Sequence, residues 1–505
     1  MKVSYLLFFL IILFAGFIRF YQLGVIPHGL YIDEVSIGKN AYDILKTGKD
    51  EYGVAFPILF KSLGDYKLPL YIYAVSGTMA LFGKTDFAVR FPSAMFGTLT
   101  VGVVYFLLYQ LLRYKNTMSH KNARNFSFLA MVLLAILPWH FHFSRAGFEV
   151  TVAVFLYVSA LTLGIAYFTQ KKLGFLIGSS ICFLLTMYTY HSYTVIAPIT
   201  CVMGACVLYK RLKKERKRLL AVCISALLLS IPIVIASLSP TGESRFAQTS
   251  AFVNIHVHTW IARLGIDTLI FLKNYSSYFS LTYLFRFGDQ INRHQVQNLP
   301  PVYLWQLPVM VAGIYYLLKS KNTLLKTVTF FLIIIAPIPA SLALPSPHTL
   351  RVLLASIATV ILTVCGLILI TKSQKKLLIL IPICVVATMS FLGYTHFYFI
   401  HYPADSSIDW GGEYTQLIAQ VQKDHKKYPH IIVDTSLPNA SLYFSYYAPS
   451  LRILYTKPGQ ATPKGWVGQT LYARPFFVDA HPSGLLENIY FQNTKRDIFA
   501  QIIHL

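Results

Sequence analysis

The chain has 505 residues, of which 55% are hydrophobic and only 13% charged. Soluble domains carry about a quarter charged residues, so one water-soluble core does not fit. The net charge of +24 would suit a nucleic-acid partner, but its cations sit in short runs between apolar segments, which argues for a membrane partner and against nucleic acid.

The N-terminal segment MKVSYLLFFLIILFAGFIRF has the hydropathy of a signal peptide. It lacks a small-residue cleavage site and further spans follow, so a retained first helix is expected. Applying the criterion of roughly 20 apolar residues predicts about 11 spans, at 4–20, 88–112, 126–143, 149–169, 173–190, 194–209, 219–239, 302–318, 327–344, 350–371 and 377–396. The connections 113–124, 170–172, 210–218, 319–326 and 371–376 are rich in Lys and Arg, and Glu215 is their only acid. An excess of Lys and Arg marks cytoplasmic loops, so these five connections and the N-terminus are placed inside. The long connections 21–87 and 240–301 and the tail then face outward.

The six cysteines all fall in apolar segments, with no CxxC pair. Neither a disulfide framework nor a thiolate metal site is expected. In the tail, TQLIAQVQKDHKKY has helical spacing and YPHIIVDTSL reads as a turn and a buried strand. LYFSYYA and SLRILYT are further short elements. A small α/β domain of about 100 residues is expected over 397–505, following a transmembrane module over 1–396. ENIYFQN (487–493) is read as native sequence.

Asp33-Glu34 follows the first span. Ile37, Ala41, Ile44 and Leu45 then recur at helical spacing, which predicts an amphipathic helix in the membrane interface. Acids at this point suit a helix start, and equally a carboxylate serving as general base. Lys67, beside Tyr66 and ahead of Pro69, reads either as a snorkelling interface lysine or as a phosphate ligand. Arg145 and Glu149 are four apart, which on a helix gives one face at the outer membrane edge. RFGDQINRHQ supplies Arg286, Asp289, Arg293 and His294, and SPHTLRVLL supplies His348 and Arg351. Several cations facing a carboxylate would suit an anionic lipid and a hydroxyl acceptor. His140-x-His142 and His256-x-His258 have short spacings without matching partners, so no metal site is predicted. There is no phosphate-cradling glycine loop, nucleotide fingerprint or GxSxG elbow.

Asp-Glu after a first span, then LGDYKLPLYIYAVSGTMALFGKTDFAVRFPSAMFG, resembles the GT-C fold glycosyltransferases. The likeness is to bacterial relatives of protein O-mannosyltransferases and of the aminoarabinose transferases acting on lipid A. It continues through LPWHFHFSRAGFEV, FRFGDQINRHQ and PIPASLALPSPHTLRVL, and covers roughly residues 1–400. The resemblance implies a polytopic helical enzyme of the bacterial plasma membrane. Such an enzyme moves a sugar from a polyprenyl-phosphate carrier to a hydroxyl of a protein, lipid or cell-envelope glycan, outside the cytoplasm. It implies Asp33 as general base, Glu34 as its helper and Glu149 as a second acid. Lys67, with Tyr66, Arg145, Arg293, His348 and Arg351, would contact the donor phosphate or sugar. An inverting displacement without cofactor or metal is implied. A transporter of lipid-linked sugars is the alternative; it would be expected to show inverted repeats and midplane polar residues.

Overall fold

The computed structural model describes residues 2–63, 65–208, 216–239, 249–252, 259–427, 430–434, 439–456, 470–473 and 502–504. The chain divides into two compact units. One holds residues 1–21, 56–74 and 90–395; the other holds 22–55, 75–89 and 396–505. His256, His258, most of the 210–218 run and the 487–493 segment lie outside the described residues.

The first unit is helical. It contains α1 (Lys2–Phe20), a hairpin of β1 (Phe60–Ser62) and β2 (Asp65–Lys67), the first turns of α3 (Pro69–Phe82) and most of α4 (Asp86–Arg113). Then come α5 (His120–Ile136), α6 (Pro138–Phe143), α7 (Glu149–Gln170), α8 (Leu173–Met187), α9 (Tyr193–Leu208) and α10 (Arg216–Leu238). It continues through α11 (Trp260–Ser277), α12 (Gln306–Lys319), α13 (Thr323–Ile335), α14 (Pro337–Ser341), α15 (Ala355–Thr371) and α16 (Lys376–His396).

Among the described residues, 5 helical stretches are long and apolar enough to cross a membrane, and Pro69–Phe82, Leu173–Met187 and Ala355–Thr371 are among the shorter apolar helices. Some of the expected spans are therefore shorter than a full crossing, and proline explains one break. The 126–143 span is broken at Leu137, where Pro138 opens α6, whereas α13 and α14 together make one of the five long stretches, Thr323–Ser341. Proline lacks an N–H and is favoured in a helix's first turn, although Pro92, Pro198, Pro232 and Pro382 sit inside α4, α9, α10 and α16. The 350–371 span begins as turns and becomes helix at Ala355. Helix α3 lies within the 21–87 connection, where no span is predicted.

Large apolar side chains lie on the outer faces of α1 and α16, including Phe9, Leu13, Phe17, Leu378, Ile381 and Met389. Exposed apolar rows of this kind are at home in hydrocarbon, where a helix satisfies its own backbone. In contrast α15 is buried nearly throughout. Glycine permits its closest contact: Gly313 of α12 lies against the Leu362 carbonyl, and Gly366 of α15 against the Val309 carbonyl. Small residues let two helices approach at backbone distance.

The second unit joins segments far apart in sequence. It holds α2 (Ile32–Thr47), α17 (Tyr402–Asp405), α18 (Gly412–Asp424) and α19 (Ala440–Tyr447). Its sheet runs in the order β4 (Ile453–Thr456), β3 (His430–Asp434), β5 (Thr470–Ala473), β6 (Ile502–His504). Strand β3 is parallel to both neighbours, with Ile432 opposite Leu454 and Tyr472, and β6 is antiparallel to β5. The apolar spacing in TQLIAQVQ buries Leu417, Ile418 and Val421 on one face of α18.

Helix α2 differs from its expected role at a lipid surface. Ile37, Ala41 and Ile44 are buried, while Leu45 is exposed. Protein covers part of this face: a Cβ at Gly38 would meet the Tyr446 ring at 3.0 Å. The approach of 26–31 to 407–413 is closer still. Gly29 has φ 84°, and a Cβ there would lie 2.8 Å from the Gly412 nitrogen. Both the conformation and the space favour glycine.

Candidate functional site

In the second unit, Glu34 is fully buried and its Oε2 accepts a hydrogen bond from the Tyr31 N–H at 2.9 Å. This satisfies one of the donors left open at a helix start. Glu34 thus fixes the first turn of α2, on which half-buried Asp33 stands. The tail holds the same turn, since the Tyr443 hydroxyl donates to the Leu30 carbonyl at 3.0 Å. Tyr443 stacks on Tyr414, with centroids 4.0 Å apart and planes at 12°. Next to Tyr414, Glu413 is buried, and its Oε2 accepts no hydrogen bond among the described residues. Burial, with a smaller contribution from Asp409 and opposed by its own amide, pushes the Glu413 carboxyl up to about 7.

In the first unit, Lys67 ends β2 and is buried. Its hairpin is tied to the connection between α8 and α9: His191 Nε2 donates to the Tyr66 carbonyl at 3.1 Å, and the Leu70 N–H to the Tyr188 carbonyl at 3.1 Å. Lys67 is therefore held by a small sheet and a loop contact.

Arg145 and Glu149 do not share a helical face. Arg145 lies in the turn between α6 and α7, and Glu149 is the first residue of α7. The Arg145 guanidinium is fully buried and donates to the Ile18 and Arg19 carbonyls at 2.8 and 2.9 Å. Those carbonyls end α1, where helix acceptors are otherwise open. His140 and His142 also have protein partners: His140 Nδ1 meets Arg19 at 3.1 Å, and His142 Nε2 donates to the Arg293 carbonyl at 2.6 Å.

A cluster that the sequence reading did not assemble lies in the loops before α12 and α15. Asp289 follows Gly288, whose φ of 70° turns the chain after residues 283–287. One Asp289 oxygen accepts the Ile291 N–H at 3.1 Å. The other accepts His294 Nδ1 at 2.7 Å and the Thr349 N–H at 2.6 Å. The His294 and His348 rings follow, with centroids 4.6 Å apart. Trp139 locks the second loop by donating Nε1–H to the Thr349 carbonyl at 2.9 Å. Arg351 donates to the Leu344 carbonyl at 3.0 Å.

Burial alone would raise the Asp289 carboxyl, but the His294 hydrogen bond and charge and the two amides more than offset it, leaving the carboxyl below its usual value. His294 is lowered by burial first, with Arg293 and Arg351 adding to the effect and Asp289 opposing it. His348 is lowered well below its usual value by burial, then by His294, Arg351 and Arg293. The cluster thus sets a carboxyl and two imidazoles, all below their usual values, beside two guanidiniums. Its balance is positive.

Asp289, His294 and His348 each offer a ligand atom within 4.8 Å of the others, so they are the group that a divalent cation would use. The sequence predicts no metal site here, since His348 lies far along the chain from Asp289 and His294. Against a cation stand the nearby Arg293 and Arg351 charges and an Asp289 carboxylate that already takes three donors. The arrangement favours an anion with a proton to accept or share.

The sequence matches no protein-family model and no curated protein. Solved structures do match. ArnT from Cupriavidus metallidurans bound to undecaprenyl phosphate aligns over 90% of this chain and 86% of its own, with TM-score 0.55 and 12% identity. The Archaeoglobus fulgidus oligosaccharyltransferase in its apo form aligns over 89% of this chain and 64% of its own, with TM-score 0.52 and 14% identity. The same archaeal enzyme, AglB, in complex with an inhibitory peptide and a dolichol-phosphate gives TM-score 0.51 at 14% identity over 88% of this chain. Both proteins are GT-C glycosyltransferases. This chain has the GT-C fold. At such identities the likeness carries backbone arrangement and no residue roles. The GT-C fold here spans all but about a tenth of the chain, the tail beyond residue 396 included in part.

Proposed function

We propose that the chain is an integral membrane glycosyltransferase that transfers a sugar from a polyprenyl-phosphate donor to a hydroxyl on the extracytoplasmic face of the membrane. The observation that carries this is the GT-C fold over nine-tenths of the chain, shared with ArnT bound to undecaprenyl phosphate. The net-positive cluster of buried Asp289, His294 and His348 with half-buried Arg293 and Arg351 supports an anionic donor. The neighbours are transferases and lend nothing to the transporter reading.

Asp33 accepts the acceptor hydroxyl's proton as the oxygen attacks the anomeric carbon. The carbon–oxygen bond to phosphate breaks and polyprenyl phosphate departs with the electron pair. Direct displacement inverts the anomeric centre. Glu34 keeps Asp33 oriented by holding the start of α2. Lys67, with Tyr66, binds the carrier phosphate; Arg293, His348 and Arg351 stabilise the charge that develops on it. Glu149 assists the acceptor side. Arg145 supports the site by closing α1. The tail contributes to acceptor choice, among protein, lipid or glycan hydroxyls. The resemblance in sequence motifs, and the burial of Glu34, Lys67, Arg145 and His348, support the assignment.

The test uses the full chain in lipid nanodiscs with a synthetic polyprenyl-phosphate sugar and a hydroxyl acceptor. Asp33→Asn should lose transfer by about 10²–10⁴-fold, the contribution of a general base. Undiminished transfer by Asp33→Asn would remove it as the base.

A further inference from the structure

Two long apolar helices of the first unit end at a cavity that plays no part in the proposed reaction. The apolar stretches Asp86–Asn116 and Glu149–Gln170 both have membrane-crossing length. Their C-terminal ends, with the start of α5, surround a cavity of about 610 Å³. Arg113, Lys115 and Lys171 line it, beside Tyr109, Tyr114 and Phe168, and no carboxylate is among its lining residues. The segments 113–124 and 170–172 contain no Asp or Glu at all.

The cations are placed by backbone geometry. Lys115 has φ 51° in the turn after α4, and Lys171 has φ 58° as the residue closing α7. The Lys171 ammonium lies 5.3 Å from the Phe168 ring centroid, and that of Lys115 lies 5.7 Å from the Tyr114 centroid. Arg113 is oriented by its hydrogen bond to Asn116 Oδ1 at 2.7 Å. Gln110 also lines the cavity, and its Oε1 is buried without a hydrogen-bond donor among the described residues. The wall thus presents three cations for a phosphate, aromatic faces for a glycerol backbone, and one acceptor in need of a donor.

We infer that this cavity binds the headgroup of an anionic glycerophospholipid that carries a free hydroxyl, the chemistry of phosphatidylglycerol. The phosphodiester meets Lys115, Lys171 and Arg113, and a headgroup hydroxyl donates to Gln110. A position at the ends of two spanning helices favours a lipid over a soluble phosphate, since the acyl chains continue along the apolar flanks. Basic pockets at helix ends hold anionic headgroups in this way, each cation near the surface contributing roughly five-fold in affinity. This inference is independent of the proposed reaction.

The test is native mass spectrometry and thermal unfolding of the full chain in neutral detergent, with added phosphatidylglycerol, phosphatidylcholine, glycerol 3-phosphate or inorganic phosphate. Wild type should retain phosphatidylglycerol and melt higher in its presence, with no response to phosphatidylcholine. The double variant Lys115→Asn, Lys171→Asn keeps side chains that tolerate positive φ. It should bind phosphatidylglycerol about 30-fold more weakly while keeping the wild-type rate of sugar transfer. Equal response of wild type to both lipids would overturn the inference, as would equal protection by inorganic phosphate or glycerol 3-phosphate, an adventitious anion or soluble ligand then being the occupant. Undiminished binding by the double variant would overturn it as well.

Discussion

Each unit buries a carboxylate against backbone amides, and the two carboxylates have different company. Glu34 accepts the Tyr31 amide at the start of α2, in a unit whose nearby contacts are tyrosines, glycines and the tail. Asp289 accepts two amides and an imidazole, within reach of a second imidazole, His348, which in turn feels two arginines. A carboxylate satisfied mainly by backbone donors fixes a turn. One coupled to titratable and cationic side chains also sets how a neighbouring proton and anion behave. On this contrast, the contacts around Glu34 and the tail are expected to set stability and the orientation of Asp33, whereas the 289–351 loops are expected to set turnover through the donor's charge.

The largest test of that contrast is electrostatic. Arg351→Ala should reduce transfer by about 10²–10³-fold, the effect of removing one group that stabilises a developing charge, with the melting temperature nearly unchanged. A large drop in melting temperature with unaltered turnover would reverse the roles of the two regions.

Glu413 sharpens the comparison on the other side. Its carboxyl titrates near 4.5 when unfolded and about 7 when folded. The folded state therefore holds the proton more tightly. The stabilisation is complete below 4.5 and is lost as pH rises through 7, amounting to at most roughly 3 kcal/mol for a fully buried group. Wild type should accordingly melt at a lower temperature at pH 8 than at pH 5. Glu413→Gln should flatten the difference, and unchanged pH dependence in that variant would locate the titration elsewhere.

A smaller effect is expected where backbones touch. Gly29→Ala places a Cβ against Gly412 at a positive φ and should destabilise by about 1–3 kcal/mol. Trp410, whose carbonyl lies at the same contact, reports the loss by fluorescence. Wild-type unfolding in Gly29→Ala would mean that the contact is not maintained. No effect at all is expected from chelation: dialysis against EDTA should leave transfer within about twofold, since the arginines already supply the positive charge. Stoichiometric zinc or cobalt by elemental analysis, with activity lost on its removal, would reassign Asp289, His294 and His348 to a metal.

Much of the helical architecture is legible in the chain because apolar length is a local property. The helix after Asp33-Glu34 is legible for the same reason, through Ile37, Ala41 and Ile44. What covers those residues is not legible, because Tyr446 lies about four hundred positions away. The Arg145–Glu149 relation misleads because Ser144 to Phe148 form a turn, and i,i+4 spacing has meaning only within a helix. The Asp289 cluster is missed for a related reason. Gly-Asp after an aromatic run signals a turn, but nothing local says that His348 stands beside His294. Arg293, His348 and Arg351 were recognisable singly, and their assembly is a property of tertiary contact.

The bond from the Tyr443 hydroxyl to the Leu30 carbonyl spans 413 residues. A ribosome adding about 5–20 residues per second needs roughly 20–80 s to cover that distance. During this interval the start of α2 has been made, yet the side chains that hold it in place have not. The newborn chain therefore carries its proposed base on a segment left unclamped until the residues around Tyr443 have been made.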